Sequence, residues 1–581
     1  MTPNPSETAL AYHSITKHHV FRQARSLGFM DWENQPNPFR RYQDAAEVHL
    51  PLGGPTTDTT WQQGRQGPDL RGNAPMELSG LGRLLELGLG LTAWKEFEGN
   101  RWSLRANPSS GNLHPTEAYV VAPNTCIGLP AGVLHYAPHD HLLELRCSLN
   151  LAGASRLTAL LPKGGFLIAL TSIYWREAWK YGERALRYCA LDTGHAIGAL
   201  DYAAACVGMS VLPVTGWTDG GLGELVGTSS SPEDLDPWDR EHPDLLLAVL
   251  PLDSNEQRSH FPLQMERALE VLGGGTWHGT PNDLSQEYHD WDVIPATGAA
   301  VQRAAKQEPR PDAKTHPSSP LLRDKENAGQ SLESILRRRR SAYSMRAGKA
   351  IALHVFAELL DATLARPESP PWRGWPESDS AHLVVFVHRV EGLTPGLYFL
   401  ERNPKHAARL RTAITIDCQW TPVADLESIG FGHLRLSLLR EGNCESIARQ
   451  VSCQQDIAAD GAFSLGMLCD FSEVVTKDAS AYRRLFWECG LIGQALYIEA
   501  VAHGLSATGI GCYFDDSVHE LLGLQGEAWQ VMYHFTVGDS IEDKRLQTHP
   551  PYAHIQDRVA SSRLQSGGSP QLAPPTSSGP P

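Results

Sequence analysis

Two stretches of the chain decide its fold: RALRYCALDTGHAIGALDYAAACVG at 184–208 and YRRLFWECGLIGQALYIEAVAHG at 482–504. Apolar residues lie on nearly every side of both stretches when they are wound as helices, which is typical of a helix buried at the centre of a protein. Each stretch ends at a glycine, Gly208 or Gly504, that suits a helix C-terminus. The sequence therefore predicts two long central helices, one in each half of the chain.

The two stretches are copies of one another. ELVG at 224–227 and ELLG at 520–523 are 296 positions apart. The same offset, without a gap, relates five further pairs of identical residues: Arg187 and Arg483, Gly194 and Gly490, Ala204 and Ala500, Gly208 and Gly504, and Ser210 and Ser506. So many matches at one register indicate an internal repeat.

Similar elements surround the long helix in each copy. An amphipathic helical pattern precedes it, at 78–85 in the first copy and 353–360 in the second. Apolar strands are predicted at AYVVA near Tyr119, LLLAVL at 245–250, HLVVFV near Val385, GLYFL at 396–400 and VMYHFTVG at 531–538. Alternating helices and strands indicate an α/β or α+β protein with a central sheet in each half, and we take α+β as the fold class.

Composition separates the repeats from their connections. Residues 273–330 contain QEPRPDAKTHPSSP and are rich in proline, serine and charge, which is typical of a linker. The C-terminal residues SSRLQSGGSPQLAPPTSSGPP resemble a disordered tail. We expect a first domain at 1–272, a linker at 273–330, a second domain at 331–557 and a tail at 558–581.

The overall charge excludes one class of partner. A net charge of −16 argues against nonspecific binding of nucleic acid, which requires a basic face. The ten cysteines form no CxxC pair, which favours reduced thiols in a cytoplasmic protein. No signal peptide is visible, and apolar runs such as 245–252 are shorter than the roughly 20 residues that span a bilayer. We therefore expect no membrane partner.

Two polar segments are candidates for a binding site. ANPSSGNLHPTE at 106–117 combines hydroxyls, an amide and free backbone N–H groups, which suits an uncharged cradle for a heteroaromatic ring. SLESILRRRRSAYSM at 331–345 carries four consecutive arginines, which suit a phosphate. Taken alone, the first segment also fits a capped turn and the second a solvated helix end.

Together these segments resemble the flavin-binding motifs of the nitroreductase family. The Arg-x-Ser run at 339–341 is similar to the family's first motif, PSSGN at 108–112 to its second, ATGIG at 507–511 to its third and VGDSIEDKRL at 537–546 to its fourth. The resemblance implies FMN as cofactor. The residues it implies for FMN binding are Pro108, Ser109, Ser110, Asn112, Arg339, Arg340, Ser341, Gly509, Ile510, Gly511, Lys544 and Arg545.

Within that family the chain is most similar to the SagB-type dehydrogenases, flavin oxidases that include azoline-oxidising enzymes. YHSITKHH at 12–19 and KYGERALRYCALDTGHAIG at 180–198 carry this resemblance. It implies that Lys180 and Tyr181 are the catalytic pair that removes a proton from substrate. The alternative is a surface lysine beside a half-buried tyrosine at a helix start. NAD(P)H remains an open alternative as electron donor.

Nitroreductases are dimers whose Arg-x-Ser motif and Pro-Ser-Ser loop come from different subunits, but here each motif occurs once. Aligning the amphipathic helices at an offset of 275 places Gly64 and Gln66 opposite Arg339 and Ser341. The second copy has ARPESPPWRGWPESDS at 365–380, without asparagine, before its strand. We expect an intramolecular pseudo-dimer with one composite FMN site and a degenerate second site, so that a monomeric chain suffices.

Some features depart from the family or lead elsewhere. Tyr343 stands where the family usually has arginine or lysine, and Arg346 is a possible substitute. His139, Asp140 and His141 lie in a turn bounded by proline, and we predict no metal there. Cys453 has no adjacent base in the sequence, which favours a structural thiol. No GxGxxG follows a strand, so a Rossmann domain is not predicted.

Two functions follow as hypotheses. The first is an FMN-dependent oxidoreductase that acts on a small molecule or a modified peptide, by oxidation with oxygen or by reduction with NAD(P)H. The second is a non-catalytic flavin-binding scaffold subunit of a biosynthetic complex, which the loss of one site and Tyr343 would permit.

Overall fold

A computed structural model of the protein describes residues 4–54, 56–67, 76–123, 128–229, 235–251, 260–305, 316–375 and 380–555. The predicted tail at 558–581 lies outside these residues.

The α-helices of the described residues are α1 (Pro5–Ile15), α2 (Trp61–Gln66), α3 (Leu78–Gly88), α4 (Leu151–Leu160), α5 (Tyr174–Tyr181), α6 (Ala185–Cys206), α7 (Asp219–Val226), α8 (Met265–Gly273), α9 (Val293–Ala300), α10 (Lys325–Gly329), α11 (Leu332–Arg338), α12 (Leu353–Ala362), α13 (Ala407–Ala413), α14 (Asp425–Ser428), α15 (Glu445–Val451), α16 (Ile457–Asp460), α17 (Ser472–Lys477), α18 (Ala481–Ala502) and α19 (Ser517–Leu522).

The strands of these residues are β1 (Tyr42–Gln43), β2 (Glu47–His49), β3 (Leu91–Phe97), β4 (Asn100–Arg105), β5 (Thr116–Ala122), β6 (Gly132–Ala137), β7 (Leu142–Ser148), β8 (Phe166–Ser172), β9 (Met209–Thr215), β10 (His242–Pro251), β11 (Phe261–Pro262), β12 (Thr276–Trp277), β13 (Thr280–Pro281), β14 (Ala381–Val387), β15 (Gly396–Leu400), β16 (Thr421–Pro422), β17 (Leu436–Glu441), β18 (Phe463–Asp470), β19 (Ser506–Ile510), β20 (Trp529–Gly538) and β21 (Gln547–His549).

Each half of the chain contains one large β-sheet, and the strands of the two sheets follow the same order. The first runs β9-β10-β8-β5-β6-β7 and the second β19-β20-β18-β14-β15-β17, with antiparallel neighbours throughout both series. Short strands extend the edges: β11, β12 and β2 in the first sheet and β16 in the second. The predicted α+β class with a sheet in each half is confirmed.

The long helices α6 and α18 pack against each other between the two sheets. Each has 22 residues, all of them buried, as the sequence predicts. A Cβ on Gly194 would collide with the backbone carbonyl of Trp487, and a Cβ on Gly490 would collide with that of Leu191. Gly194 corresponds to Gly490, and Leu191 to Trp487, across the 296-residue offset. The contact is therefore reciprocal, as in a two-fold interface.

Ion pairs between the halves are reciprocal in the same way. Arg187 of α6 donates to Asp515 at 2.6 Å, and Arg483 of α18 donates to Asp219. Asp219 and Asp515 are again 296 positions apart. All four side chains are buried, so loss of any one would leave an unpaired buried charge.

The N-terminal end of the first half and the C-terminal end of the second each pack onto the other half. On the N-terminal side, Ser6 of α1 donates to the carbonyl of Thr476, and Lys17 pairs with Asp516 at 2.7 Å. On the C-terminal side, β21 pairs with β3, which joins β4 in a three-stranded sheet. These exchanges add to the contacts made by the central helices.

The segment expected to be a linker is partly folded. Strand β12 pairs with β7, β13 pairs with β1, and Ile294 of α9 is fully buried. Trp291 and Val301 are also buried, because apolar side chains in this proline-rich stretch pack on the first half. The structure therefore differs from the expected extended linker here, while residues 306–315 lie outside its description.

Helix α18 is, within the described residues, the one helix long and apolar enough to cross a membrane. All of its residues are buried inside the protein.

Candidate functional site

Two adjoining cavities lie where the halves meet. One has a volume of about 380 Å³ and the other about 560 Å³, and both are lined by Pro108, Ser109, Ser341 and Tyr343. The first two residues belong to the first half and the last two to the second. We call the smaller space the ring cavity and the larger one the phosphate cavity, after their walls described below.

The loop between β4 and β5 supplies one wall of both cavities. The backbone φ angles of Gly111, Asn112 and His114 are 60°, 61° and 55°, values that residues other than glycine rarely adopt. Asp192 of α6 holds this loop by accepting hydrogen bonds of 3.0 Å from both the backbone N–H and the hydroxyl of Ser110. Burial raises the pKa of Asp192 to about 7. Such backbone strain persists where neighbouring structure enforces it, often at functional sites.

The side chains of this loop also bond to one another. The Asn112 amide donates to the carbonyl of Ser103 at 2.9 Å, and its oxygen accepts from His114 Nε2 at 3.0 Å. The hydroxyl of Ser109 accepts from the backbone N–H of His114 at 2.7 Å. The polar groups predicted as a cradle are therefore fixed in one arrangement.

The opposite wall of the phosphate cavity comes from the chain just after α11. Arg339 donates through Nε to the carbonyl of Ala106 and through Nη2 to that of Arg105, both at 2.9 Å. Arg340 donates to the carbonyl of Thr92 at 2.9 Å. The hydroxyl of Ser341 lies 2.8 Å from that of Tyr497. The arginine run predicted as a phosphate clamp thus lies against the first half.

Several cationic side chains line this cavity, beside the carboxylates of Glu542 and Asp543. Within the described parts of the chain, Arg105, Arg339 and Arg340 form no ion pair. Burial lowers the pKa of Arg339, and burial lowers the pKa of Arg105 to about 10. Burial and the charge of Arg339 lower the pKa of Arg340 to about 10. An anion in the cavity would raise the pKa of each of these arginines.

Four buried polar atoms on the lining of this cavity lack a hydrogen-bond partner among the described residues. They are Asn107 Oδ1, His114 Nδ1, Arg105 Nε and Arg339 Nη1. Buried polar groups are nearly always hydrogen-bonded, so such a group of orphans at a cavity suits a polar ligand. Arginine donors beside an amide oxygen fit the phosphate and the polar chain of FMN.

The ring cavity has an aromatic and glycine-rich lining. Its walls include the segment Gly509–Gly511 and five tyrosines: Tyr181, Tyr188, Tyr343, Tyr497 and Tyr533. A Cβ on Gly509 would collide with the Tyr533 hydroxyl, and a Cβ on Gly511 would collide with the Tyr188 ring. The backbone of this segment therefore packs directly against two of the tyrosines that line the cavity with it.

Lys180 and Tyr181 stand at the end of α5, against the cradle loop. A Cβ on Gly111 would lie 2.7 Å from the Tyr181 hydroxyl and 3.1 Å from Lys180 Nζ. The Tyr181 ring packs against Tyr188 with centroids 4.3 Å apart. Burial and, to a smaller extent, the carboxyl group of Glu177 raise the pKa of Tyr181 well above its usual range. Its phenol therefore stays protonated.

Not every predicted site residue reaches the cavities. Lys180, Lys544 and Arg545 do not line them, whereas Tyr181 lines the ring cavity and Glu542 and Asp543 line the phosphate cavity. Arg545 is exposed and pairs with Asp543 at 2.7 Å. The remaining predicted cofactor residues line one cavity or both: Pro108, Ser109, Ser110, Asn112, Arg339, Arg340, Ser341, Gly509, Ile510 and Gly511.

Tyr343 is 89% exposed and lines both cavities. Arg346, its suggested substitute, bonds to Asp539 at 3.1 Å and does not line them.

The corresponding position on the other side of the molecule is closed. A space of about 10 Å³ remains there beside Arg65, which stands opposite Arg340 at the 275-residue offset. Arg65 is paired with Glu499 at 3.1 Å and with Asp361 at 3.4 Å, so its charge is already matched. Trp372 lines the remnant, and Arg373 pairs with Asp201 at 2.7 Å.

Several site residues escaped the sequence analysis. Asn107 and His114 lie within the predicted cradle segment but carried no signal of their own. Asp192 and Tyr497 lie on the central helices, whose apolar pattern gave no reason to single out these positions. Only the packing of α6 and α18 brings the two residues to the cavities.

Among the residues that the structure describes, two groups have ligand atoms within 4.8 Å of one another: His139, Asp140 and His554, and Glu358, Glu499 and His503. In the second group His503 already bonds both carboxylates, and Arg65 bonds Glu499.

Comparison with known proteins supports the nitroreductase family. Residues 336–539, less than half of the chain, match the model of the nitroreductase family. A crystal structure from Anabaena variabilis, named as a nitroreductase, superposes with a TM-score of 0.65 and 23% identity, covering 92% of this chain and 99% of that one. This chain therefore has the nitroreductase fold over nearly its whole length.

Two sequence relatives cover shorter parts. A protein of Methanocaldococcus jannaschii named as a nitroreductase is 24% identical over 173 residues, which are 29% of this chain and 83% of the relative. The trifolitoxin-processing protein of Rhizobium leguminosarum bv. trifolii is 33% identical over 99 residues, which are 16% of this chain and 26% of the relative.

Proposed function

We propose that this chain is an FMN-dependent oxidoreductase with a single flavin site built from both of its halves. The observation that carries the proposal is the pair of adjoining cavities, whose shared lining takes Pro108 and Ser109 from one half and Ser341 and Tyr343 from the other. Their linings match the two ends of FMN: arginines that form no ion pair among the described residues on one side, tyrosines and glycine backbone on the other.

The residues present would hold the cofactor in a defined orientation. Arg339 Nη1 and the Ser341 hydroxyl would receive the phosphate, since arginine presents a planar fork of donors to phosphate oxygens. The cradle loop at 108–112 and the segment 509–511 would enclose the ring. When bound, FMN supplies the two-electron chemistry of the reaction.

Lys180 and Tyr181 are the proposed catalytic pair. Lys180 Nζ lies against Gly111 of the cradle loop, and in its neutral form the amine would take a proton from a substrate seated over the ring. Tyr181 stays protonated and can donate a hydrogen bond to the same substrate. The substrate class we propose is a small molecule or a modified peptide, and similarity to a protein named for trifolitoxin processing favours a biosynthetic role.

The reciprocal contacts of α6 and α18 support an intramolecular pseudo-dimer. In such an arrangement two flavin sites would be expected, but the second is closed by Trp372 and its arginine is already neutralised. A space of about 10 Å³ holds no more than a water molecule. One FMN per chain follows.

Two single substitutions in different halves test the shared site. Asn112→Ala and Arg339→Ala should each lower the flavin content of purified protein at least tenfold, while Arg156→Ala, an exposed arginine far from the cavities, should keep it. Circular dichroism checks that each variant folds. Full flavin content in Asn112→Ala would contradict the proposal.

Turnover separates an enzyme from a flavin-binding scaffold. Anaerobic bleaching of the flavin by NAD(P)H would indicate the reductive direction, and bleaching by a candidate substrate followed by reoxidation with oxygen would indicate the oxidative one. If flavin binds but neither occurs with any tested donor, the scaffold hypothesis is favoured.

A further inference from the structure

Two cysteine thiols meet at the edge of the ring cavity. Cys512 directly follows Gly511 and lines the cavity, and the Cys453 thiol is within hydrogen-bonding contact of the Cys512 thiol. Both residues are partly exposed. The sequence favoured a structural role for Cys453 because no base is adjacent to it; Cys512 lies 59 positions further along the chain.

A histidine faces the same sulfur. His18 Nδ1 accepts a hydrogen bond of 3.0 Å from the backbone N–H of Ala24, so the proton of the neutral ring is on Nε2. His18 is also hydrogen-bonded to Cys512, and this proton is therefore available to stabilise a thiolate. The charged neighbours are Arg184 and its ion-pair partner Asp515, 2.9 Å apart.

These contacts favour ionisation of one thiol over the other. The hydrogen bond from Cys453 is the largest influence, and with His18 and Arg184 it lowers the pKa of Cys512 to about 5. The same hydrogen bond raises the pKa of Cys453. A thiolate beside a protonated thiol is the arrangement found in reactive cysteine pairs.

The backbone around the pair is held in place. Gln455 donates from Nε2 to the carbonyls of Ser452 and Cys512, both at 2.9 Å, and so ties the two segments together. Cys453 and Gln454 have φ values of 54° and 61°. This strained turn presents the Cys453 side chain to Cys512, and strain of this kind persists where surrounding contacts enforce it.

We propose that Cys453 and Cys512 are a redox-active pair that exchanges two electrons with the flavin in the ring cavity. This inference rests on the proposed function. In the forward step the Cys512 thiolate and the Cys453 thiol form an S–S bond and release two electrons and one proton. The oxidised flavin takes up both electrons and that proton, and the reverse step restores the thiols.

The chain contains a matched control pair. Cys469 and Cys489 have sulfur atoms 3.6 Å apart, but both residues are fully buried and neither lines the cavity. The two pairs therefore differ in their access to a flavin and to small reagents.

The test follows thiols and flavin separately in the flavin-loaded full chain. After mild oxidation with diamide, alkylation and mass spectrometry should reveal one disulfide, between Cys453 and Cys512, with Cys469 and Cys489 still reduced. In an anaerobic titration with dithiothreitol, the wild-type flavin should bleach at least ten times faster than that of Cys453→Ser. Cys469→Ser should bleach like the wild type.

The outcomes distinguish the two proposals. Flavin that bleaches equally fast in wild type and Cys453→Ser, or a diamide-treated protein without the disulfide, overturns the redox pair and leaves the proposed function intact. Protein purified without flavin overturns the proposed function, and the electron exchange with it. Flavin content of Cys453→Ser, measured after denaturation, checks that slow bleaching is not loss of cofactor.

Discussion

Nε of Arg339 donates a hydrogen bond of 2.9 Å to the carbonyl oxygen of Ala106, a residue 233 positions earlier and in the other half of the protein. The contact anchors the arginine while Nη1 remains without a partner among the described residues. It places Arg339, the phosphate-binding residue proposed for one half, beside the cradle loop of the other, so we expect that neither half binds flavin alone.

Arg339→Ala should weaken binding of FMN much more than binding of riboflavin, which lacks the phosphate. A hydrogen bond to a charged group contributes about 1.5–3 kcal/mol, which corresponds to a loss of roughly 10- to 100-fold in FMN affinity. Fluorescence titration of flavin-free protein with each compound measures both changes. An equal loss for the two compounds would mean that Arg339 does not contact the phosphate.

Gly111→Ala should strip flavin, because its new Cβ would press on Tyr181 and Lys180 in a backbone conformation already strained for alanine. Gly99→Ala is the matched control: Gly99 has a φ of 82°, but nothing lies within 4 Å of its Cβ position. We expect Gly99→Ala to cost about 1 kcal/mol of stability and to keep its flavin. Similar flavin content in the two variants would argue against contact between the loop and the catalytic pair.

Gly490→Ala should destabilise the protein by about 3 kcal/mol or more, since its Cβ would meet the backbone of α6 and push the central helices apart. Gly220→Ala, in a helix with open space around the same position, should change stability by no more than about 1 kcal/mol. Urea unfolding followed by circular dichroism compares them. If Gly490→Ala is as stable as the wild type, the close crossing of α6 and α18 is wrong.

Stability should fall as pH rises past neutrality, in part because of His503. Burial disfavours its charge, but hydrogen bonds to Glu358 and Glu499 raise its pKa to about 9. Because folding raises this pKa, the protonated His503 stabilises the folded protein. This stabilisation is fully present below the unfolded pKa of about 6.5 and is lost as pH rises through 9. It amounts to about 3 kcal/mol at most. Thermal melts of wild type and His503→Gln should differ most at pH 6 and converge above pH 9. A constant difference would exclude a protonated His503.

The sequence predicted the parts of this fold that depend on local pattern. Apolar runs identified α6, α18 and the main strands, and the 296-residue offset already matched Arg187 with Arg483 and Gly194 with Gly490. It did not reveal that these residues face the other half, because contacts between distant segments leave no periodic signal. For the same reason Asp192, Tyr497 and Cys512 became recognisable only beside the cavities. The proline-rich composition of 273–330 concealed the apolar residues that pack α9 onto the first half.

The amount of FMN per chain tests the composite site most directly. Flavin released by denaturing a known amount of purified, flavin-saturated wild-type protein should be identified as FMN and amount to one molecule per chain. Two molecules would contradict the closure of the second position around Arg65 and Trp372, and a protein that cannot be loaded with FMN would contradict the shared site itself.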